Sequence, residues 1–338
     1  MSKQIYKDKF YTHFDKKKYH TNYEQSVQNI NWVSRHGFYP FIHFQMDCSK
    51  YTNDLEGNKF IKEKNRDIYY AAHIDRFIYE YYGNRLNSKY NNYMKSKGIG
   101  RVSTAYRNCS PGKCNIDFAK EVFEYIAKCE SAYIFVGDFS KFFDNLDHRY
   151  LKEKIKCVVG EKSLDVADYA IYKNITKFTY VEAEDIEAEK GLFRRDMREL
   201  DKYFETDEFH DFKKKYLHKN SKDYQIPQGS SISAVYANVY MIDFDKRIND
   251  FITSQKGIYR RYCDDIIVVI PMTHNEINCG RNEEISKFIY DTRDGIPNLK
   301  LNEDKTEHFF YNNGKIEKIK GQSNLINYLG FTFDGRIV

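Results

Sequence analysis

The chain has 338 residues, 41% hydrophobic and 30% charged, with a formal net charge of +5 and a pI near 8.5. That balance excludes a disordered polymer and supplies one large domain or about two to three subdomains. No apolar run approaches the roughly 20 residues that span a bilayer, and the stretch from Met1 to Lys9 lacks a signal core, so a cytoplasmic location with no membrane partner is expected.

Residues 1–36 are rich in Lys, Tyr, Asn and His and predict a surface arm with short helices. Lys16 to Lys18 suit nucleic acid, though a solvated face is the plainer reading. His36 to Phe44 reads as extended, and residues 50–66 as a polar connector around an Asn-Asp-Leu-Glu-Gly-Asn turn at 53–58. Ile68 to Ala72 reads as a strand. Ile74, Ile78, Tyr81, Tyr82 and Leu86 then recur near helical spacing. Lys95, Lys97, Arg101 and Arg107 follow, with Gly98 and Gly100 loosening the backbone and Tyr93 and Tyr106 offering ring faces. This segment suits template or triphosphate phosphates. The 30 Tyr and 25 Phe allow base stacking beside such contacts, although most must serve the core. Seven scattered cysteines, of which only Cys109 and Cys114 lie close, give no zinc pattern and imply free thiols.

Phe118, Val122, Tyr125 and Ile126 predict a helix over 117–128, and Ile134 to Val136 a strand that Asp138 ends. A carboxylate at the end of a buried strand is rigidly held, as a metal ligand must be. Asp144 and Asp147 lie where the next helix begins, with Leu151, Ile155 and Val158 at its spacing. There Asp has an ordinary capping role. Residues 160–224 form a long, charged, mostly helical stretch. Tyr224-Gln-Ile-Pro-Gln228-Gly229-Ser230-Ser231 makes a tight turn into an amphipathic helix marked by Ile232, Val235, Val239 and Ile242, with Ser230 or Ser231 as its cap. Gly229 permits close approach of a ligand to the backbone.

Between Gly257 and Pro271, two short apolar or aromatic runs flank Asp264 and Asp265, which predicts a hairpin with the acidic pair in its turn. Adjacent carboxylates repel, and hairpin tips ordinarily prefer Asn-Gly or Asp-Gly. The pair makes sense if divalent cations neutralise it, since Mg²⁺ takes oxygen ligands of this kind; an exposed acidic turn is the alternative. A helix over 282–294, a strand and turn around Lys305, and a last alternating strand at 326–333 complete the chain.

In this order the segments resemble the palm of a reverse transcriptase. Asp138 with Phe143 matches the first palm motif and Gln228-Gly229 the second. Tyr262-Cys-Asp-Asp265 matches the third, Lys305 the fourth, and Tyr328-Leu329-Gly330-Phe331 the primer-grip hairpin. Arg66 to Tyr82 and Arg101 to Ala119 look like the preceding fingers motifs. The Gly-Ser-Ser-Ile-Ser exit at 229–233 and Cys263 most resemble bacterial defence-associated reverse transcriptases of the abortive-infection type, with retron and group II intron enzymes more distant.

The resemblance implies an α+β right-hand polymerase fold: fingers, an antiparallel palm sheet backed by helices, and a thumb absent or truncated. The expected divisions are an N-terminal arm at 1–60, fingers at 61–132, palm at 133–158, a helical charged insertion or fingers extension at 159–224, and palm with the primer-grip hairpin at 225–338. It further implies an RNA-directed DNA polymerase acting in anti-phage defence, with two Mg²⁺ ions, or Mn²⁺, on Asp138, Asp264 and Asp265. Lys305 would neutralise or protonate the leaving pyrophosphate, its alternative being a solvated loop lysine. Phe143, Gln228, Gly229, Tyr262, Arg66 and Arg76 are the nucleotide-binding candidates, Gln228 having a capping role as its alternative. Arg107, Tyr328, Leu329 and Gly330 are the template or primer candidates. Expected partners are an RNA template, a DNA or protein primer, dNTPs, and a partner chain, non-coding RNA or second copy supplying a thumb. Two other readings stay open: a nucleotidyltransferase or RNA polymerase working without a template or from a protein primer, and a catalytically idle palm that binds nucleic acid.

Overall fold

The structure is a computed structural model that describes residues 8–53, 59–109 and 111–337. In chain order its elements are α1 (Glu24–Gln28), α2 (Ile30–Ser34), β1 (Phe41–Asn53), β2 (Lys59–Tyr70), α3 (His73–Ser96), α4 (Asn115–Lys128) and β3 (Ser131–Asp138). Then come α5 (His148–Val159), α6 (Val166–Thr176), β4 (Thr179–Glu182), α7 (Ala183–Lys190), α8 (Thr206–Tyr216), β5 (His218–Lys219), α9 (Ser231–Tyr240) and α10 (Ile242–Ser254). The last are β6 (Ile258–Tyr262), β7 (Asp265–Pro271), α11 (His274–Asn278), α12 (Arg281–Asp294), β8 (Glu307–Asn312), β9 (Lys315–Lys320), β10 (Ile326–Tyr328) and β11 (Phe331–Phe333).

Two units divide the chain. Among the described residues, the first holds 8–53, 59–86 and 155–236, the second 87–109, 111–154 and 237–337. The first is built on a sheet of order β2-β1-β4-β5, in which β1 and β2 form a long antiparallel ladder and β4 runs parallel to β1. Its core gathers Phe14, Ile42, Val181, Ile186, Met197 and the rings of Tyr203, Phe204 and Phe212.

Of the polar connector expected at 50–66, residues 50–53 and 59–66 are therefore strand instead. Gln45, Met46 and Asp47 on β1 and Asn65, Arg66 and Asp67 on β2 are all exposed, so no apolar alternation marks the ladder there. Residues 54–58 of the expected turn lie outside the described residues. The charged stretch at 160–224 contributes β4 and β5 as well as helices. These strands have four and two residues, too short to show a period.

The second unit is built on an antiparallel sheet of order β6-β7-β3-β8-β9. β3 lies at its centre and is buried from Ala132 to Asp138. A strand covered on both faces reads as a continuous apolar run, as Tyr133 to Val136 do. One face packs Ile134, Val136, Ile267 and Val269 against Val122, Phe123 and Ile126 of α4 and against Ile326, Tyr328 and Phe333 of the β10-β11 hairpin. On the other face, Tyr290 of α12 meets Phe135 with ring centroids 6.3 Å apart. α4 begins in a capping box, the Cys114 N–H donating to Asp117 at 2.8 Å. The segment at 326–333 is a hairpin, not one strand, because Leu329 (φ 53°) and Gly330 (φ 89°) turn the chain between β10 and β11.

Candidate active site

The register of β3 on β7 sets Asp138 directly opposite Asp265. Opposed residues project to the same face of a sheet and their side chains interact, so the fold joins two carboxylates far apart in sequence. β6 and β7 close on the two-residue turn Cys263-Asp264, with Tyr262 opposite Asp265. Of the two acids, only Asp264 lies in the turn, and Asp265 opens β7. The Asp264 carbonyl accepts the Phe139 N–H at 3.0 Å, fastening the turn to the end of β3.

Like charges opposed across a ladder are unfavourable, and Lys305 offsets them: its Nζ pairs with Asp138 Oδ2. Lys305 is thus ion-paired at the acidic strand end. Its turn is pinned to the same strand end, the Asn302 N–H donating to the Asp138 carbonyl at 2.7 Å and the Ser140 N–H to the Lys300 carbonyl at 2.8 Å. The Lys305 side chain still exposes 44% of its surface, against 12% for Asp138.

Cys263 holds the first turn position at φ 58°, left-handed backbone that favours glycine. Its thiol is buried, and burial, with Asp264 beside it, pushes the thiol's pKa well above the usual range. Tyr262 is half-buried on the opposite face of β6, its ring 6.2 Å from Phe118 and 6.5 Å from Tyr106. The Tyr106 side chain remains exposed; partial burial, then nearby Cys263 and Asp264, raise the pKa of its phenol, which marks it as a neighbour of the acidic turn. Asn87 Nδ2 donates to the Tyr106 carbonyl at 2.6 Å, in a residue whose φ is 55°.

Sequence reasoning overlooked the support beneath this turn. Arg261 is fully buried and forks onto Asp245 of α10, Nε to Oδ1 at 2.8 Å and Nη2 to Oδ2 at 2.6 Å. Its Nη1 donates to Asn238 Oδ1 at 3.1 Å and to the Cys263 carbonyl at 3.0 Å. The available signal was the period of two: Arg261 shares the inward face with Tyr259 and Cys263, while Arg260 alternates outward.

Among the described residues, no three His, Cys, Asp or Glu side chains converge to enclose a metal ion. Mg²⁺ commonly takes one or two carboxylates plus substrate phosphates instead of an all-protein cage. The hard oxygens of Asp138 and Asp265 fit that donor set.

Phe143 is half-buried in a 3-10 turn, its ring 5.8 Å from buried Phe142. Asp147 caps α5, accepting the Tyr150 N–H at 2.7 Å, so its role is structural as expected. Arg107 ties its loop to α3: it donates to Asn91 Oδ1 at 2.7 Å and to the Ser103 carbonyl at 2.9 Å. Its Nε and Nη1 thereby brace the backbone beside Tyr106. Tyr328 is 2% exposed within the core, which removes it as a direct primer contact. Leu329 is half-buried, its carbonyl accepting from Asn115 Nδ2 at 3.2 Å, and Gly330 is exposed at the hairpin tip.

Four candidates belong to the first unit. Arg66 is exposed on β2. Arg76 lies over the Phe77 ring at 4.7 Å and pairs with Glu80 at 3.3 Å. The Gln228 carbonyl accepts the Tyr69 N–H at 2.8 Å. At Gly229 (φ 121°) a Cβ would come within 2.6 Å of the Tyr69 carbonyl. Glycine is therefore required by close approach to β2, a different partner from the ligand expected.

The sequence profile of the family described as "Reverse transcriptase (RNA-dependent DNA polymerase)" matches residues 85–333. The match supports the α+β right-hand architecture, with the five-stranded antiparallel sheet as its palm. No curated protein matches the chain significantly. Similar solved structures include the apo telomerase from Candida tropicalis truncated from its C-terminal domain, at 14% identity and TM-score 0.49, covering 93% of this chain and 58% of that one. The telomerase from Candida tropicalis in complex with a fragment of telomeric RNA is 13% identical with TM-score 0.48, covering 92% and 47%. The corresponding complex from Candida albicans is 11% identical with TM-score 0.49, covering 92% and 48%. The chain spans about half the length of these proteins.

Proposed function

The chain belongs to the reverse transcriptase family, and on that premise we propose that it is an RNA-directed DNA polymerase working by nucleotidyl transfer with two Mg²⁺ ions. The observation that carries this reading is the register of Asp138 on Asp265, beside Asp264 and paired with Lys305. Asp138, Asp264 and Asp265 would hold the ions, which supply Lewis-acid stabilisation of the attacking oxygen and the departing phosphate; Mn²⁺ would serve in their place.

The residues around them orient the reactants. Lys305 compensates Asp138 in the free enzyme, and its exposure leaves the ammonium able to meet an anionic leaving group. Phe143 presses on the C2′ side of the incoming sugar. Tyr262 and Tyr106 supply ring faces beside the acidic turn. Gln228, Gly229, Arg66 and Arg76 are proposed for the nucleotide from their motifs alone, and Leu329 and Gly330 for the primer.

The finer assignment is a bacterial defence enzyme of the abortive-infection type, acting in the cytoplasm. It rests on the Gly-Ser-Ser-Ile-Ser exit at 229–233 and on Cys263. Among the described residues, no helix is long and apolar enough to cross a membrane. RNA as template and a DNA or protein primer are the partners, with a further chain, non-coding RNA or second copy completing the grip on the product. Primer extension with dNTPs and then rNTPs, with and without an RNA template, tests the proposal. DNA synthesis that requires the RNA supports it. Incorporation indifferent to template favours a nucleotidyltransferase, and no incorporation favours an idle palm.

A further inference from the structure

Arg261 occupies a core-facing position on β6 with no exposed surface, where an aliphatic residue would ordinarily stand. A buried ion pair is a weak source of stability, because apolar residues of similar volume often do as well or better. The pairing with Asp245 therefore explains how the guanidinium is tolerated, not what it does. Two of its nitrogens are fixed by the carboxylate, and Asp245 is itself oriented by the Tyr259 hydroxyl at 2.9 Å. The backbone of Arg261 is fixed too, its N–H donating to the Val102 carbonyl and its carbonyl accepting the Thr104 N–H, both at 2.9 Å. What remains is Nη1, which donates to Asn238 Oδ1 at 3.1 Å and to the Cys263 carbonyl at 3.0 Å. Cys263 is the one residue of the acidic turn in left-handed backbone, a conformation a non-glycine residue keeps only when its surroundings enforce it.

We propose that Arg261 is a positioning residue of the polymerase reaction: locked to Asp245, it holds Cys263 in its left-handed conformation and so aims Asp264 and Asp265. The inference rests on the polymerase reading for its consequence in catalysis, but not for its effect on the turn. A lysine cannot replace this arginine, since one ammonium cannot fork onto Asp245 and also reach the Cys263 carbonyl in fixed geometry.

The test removes the buried ion pair together with the hydroxyl that orients it. A triple variant, Tyr259→Phe, Asp245→Leu and Arg261→Met, exchanges it for apolar side chains and leaves no orphaned charge. Two quantities are measured against wild type: single-dNTP incorporation, and amide exchange of residues 263–265 in the protein without substrate. The triple variant is expected to lose roughly 10- to 100-fold in kcat with little change in KM for dNTP. Its turn amides should exchange at least about tenfold faster, while the central β7 amides stay protected. Adding Cys263→Gly, which takes a positive φ without strain, should restore part of kcat. If the triple variant does not fold, Arg261→Lys with and without Cys263→Gly carries the same comparison. Wild-type turnover, or exchange at the turn no faster than wild type, overturns the inference. Absence of incorporation by wild type would overturn the polymerase reading instead, and exchange would still decide the role of Arg261.

Discussion

Replacing Asp264 by Asn removes an anionic oxygen beside the Asp138–Asp265 pair while leaving the turn's backbone unchanged. Incorporation should fall at least about 100-fold, with circular dichroism and melting unaltered; turnover like wild type would remove Asp264 from the site. Asp265→Asn relieves a like-charge pair across the ladder, so in metal-free buffer its stability should hold or rise by roughly 0.2–1 kcal/mol. Phe143→Ala should raise rNTP use relative to dNTP use, because the 2′-hydroxyl no longer meets a ring. The side chain is only half-buried, so the stability lost should be below the roughly 3–5 kcal/mol of a core Phe. A destabilised variant with unchanged sugar preference would make Phe143 a packing residue. At this scale the acids were legible, since two adjacent Asp between strand-forming runs fit no ordinary turn. Lys305 was ambiguous because only the fold brings its turn to Asp138. Arg261 was hidden because it adjoins a second arginine, Arg260, and only the alternation of β6 separates the fully buried one from the other.

β8 carries a test of how the sheet depends on pH. His308 lies between the Phe135 and Tyr133 rings, its Nδ1 3.1 Å from the Tyr133 hydroxyl. Burial, and then Lys320, lower its pKa from 6.5 to about 4. The folded state therefore binds fewer protons than the unfolded chain between these values, and stability falls as pH drops from about 6.5 to about 4. This group contributes about 3 kcal/mol to that fall. Urea unfolding across the window should show the loss, and His308→Phe should reduce its slope, buried His13 accounting for a further part; an unchanged slope would mean that other groups carry the effect. Elements with strong patterns were readable: α4 from its amphipathic spacing, β3 from its continuous apolar run and β7 from its continuous β-branched run. β1 and β2 were not, because solvent covers the middle of their ladder and leaves no apolar code. The β8-β9 pairing was missed for a related reason, since β9 is an edge strand of exposed Lys and Glu.

For the molecule as a whole, the sequence order of the motifs carried more than any motif alone. The two units are interleaved along the chain, so no linker or shift in composition marks where one gives way to the other. Residues 85–333 carry the family match, and the candidate acids fall within it. The arrangement of carboxylates follows from one register, β3 against β7. The measurement that tests the account most directly is DNA synthesis on an RNA template of defined sequence by wild-type protein and by Asp138→Asn, in Mg²⁺. The account predicts a product complementary to the template from wild type, and none from Asp138→Asn despite its native fold. A complementary product from Asp138→Asn at the wild-type rate would contradict it.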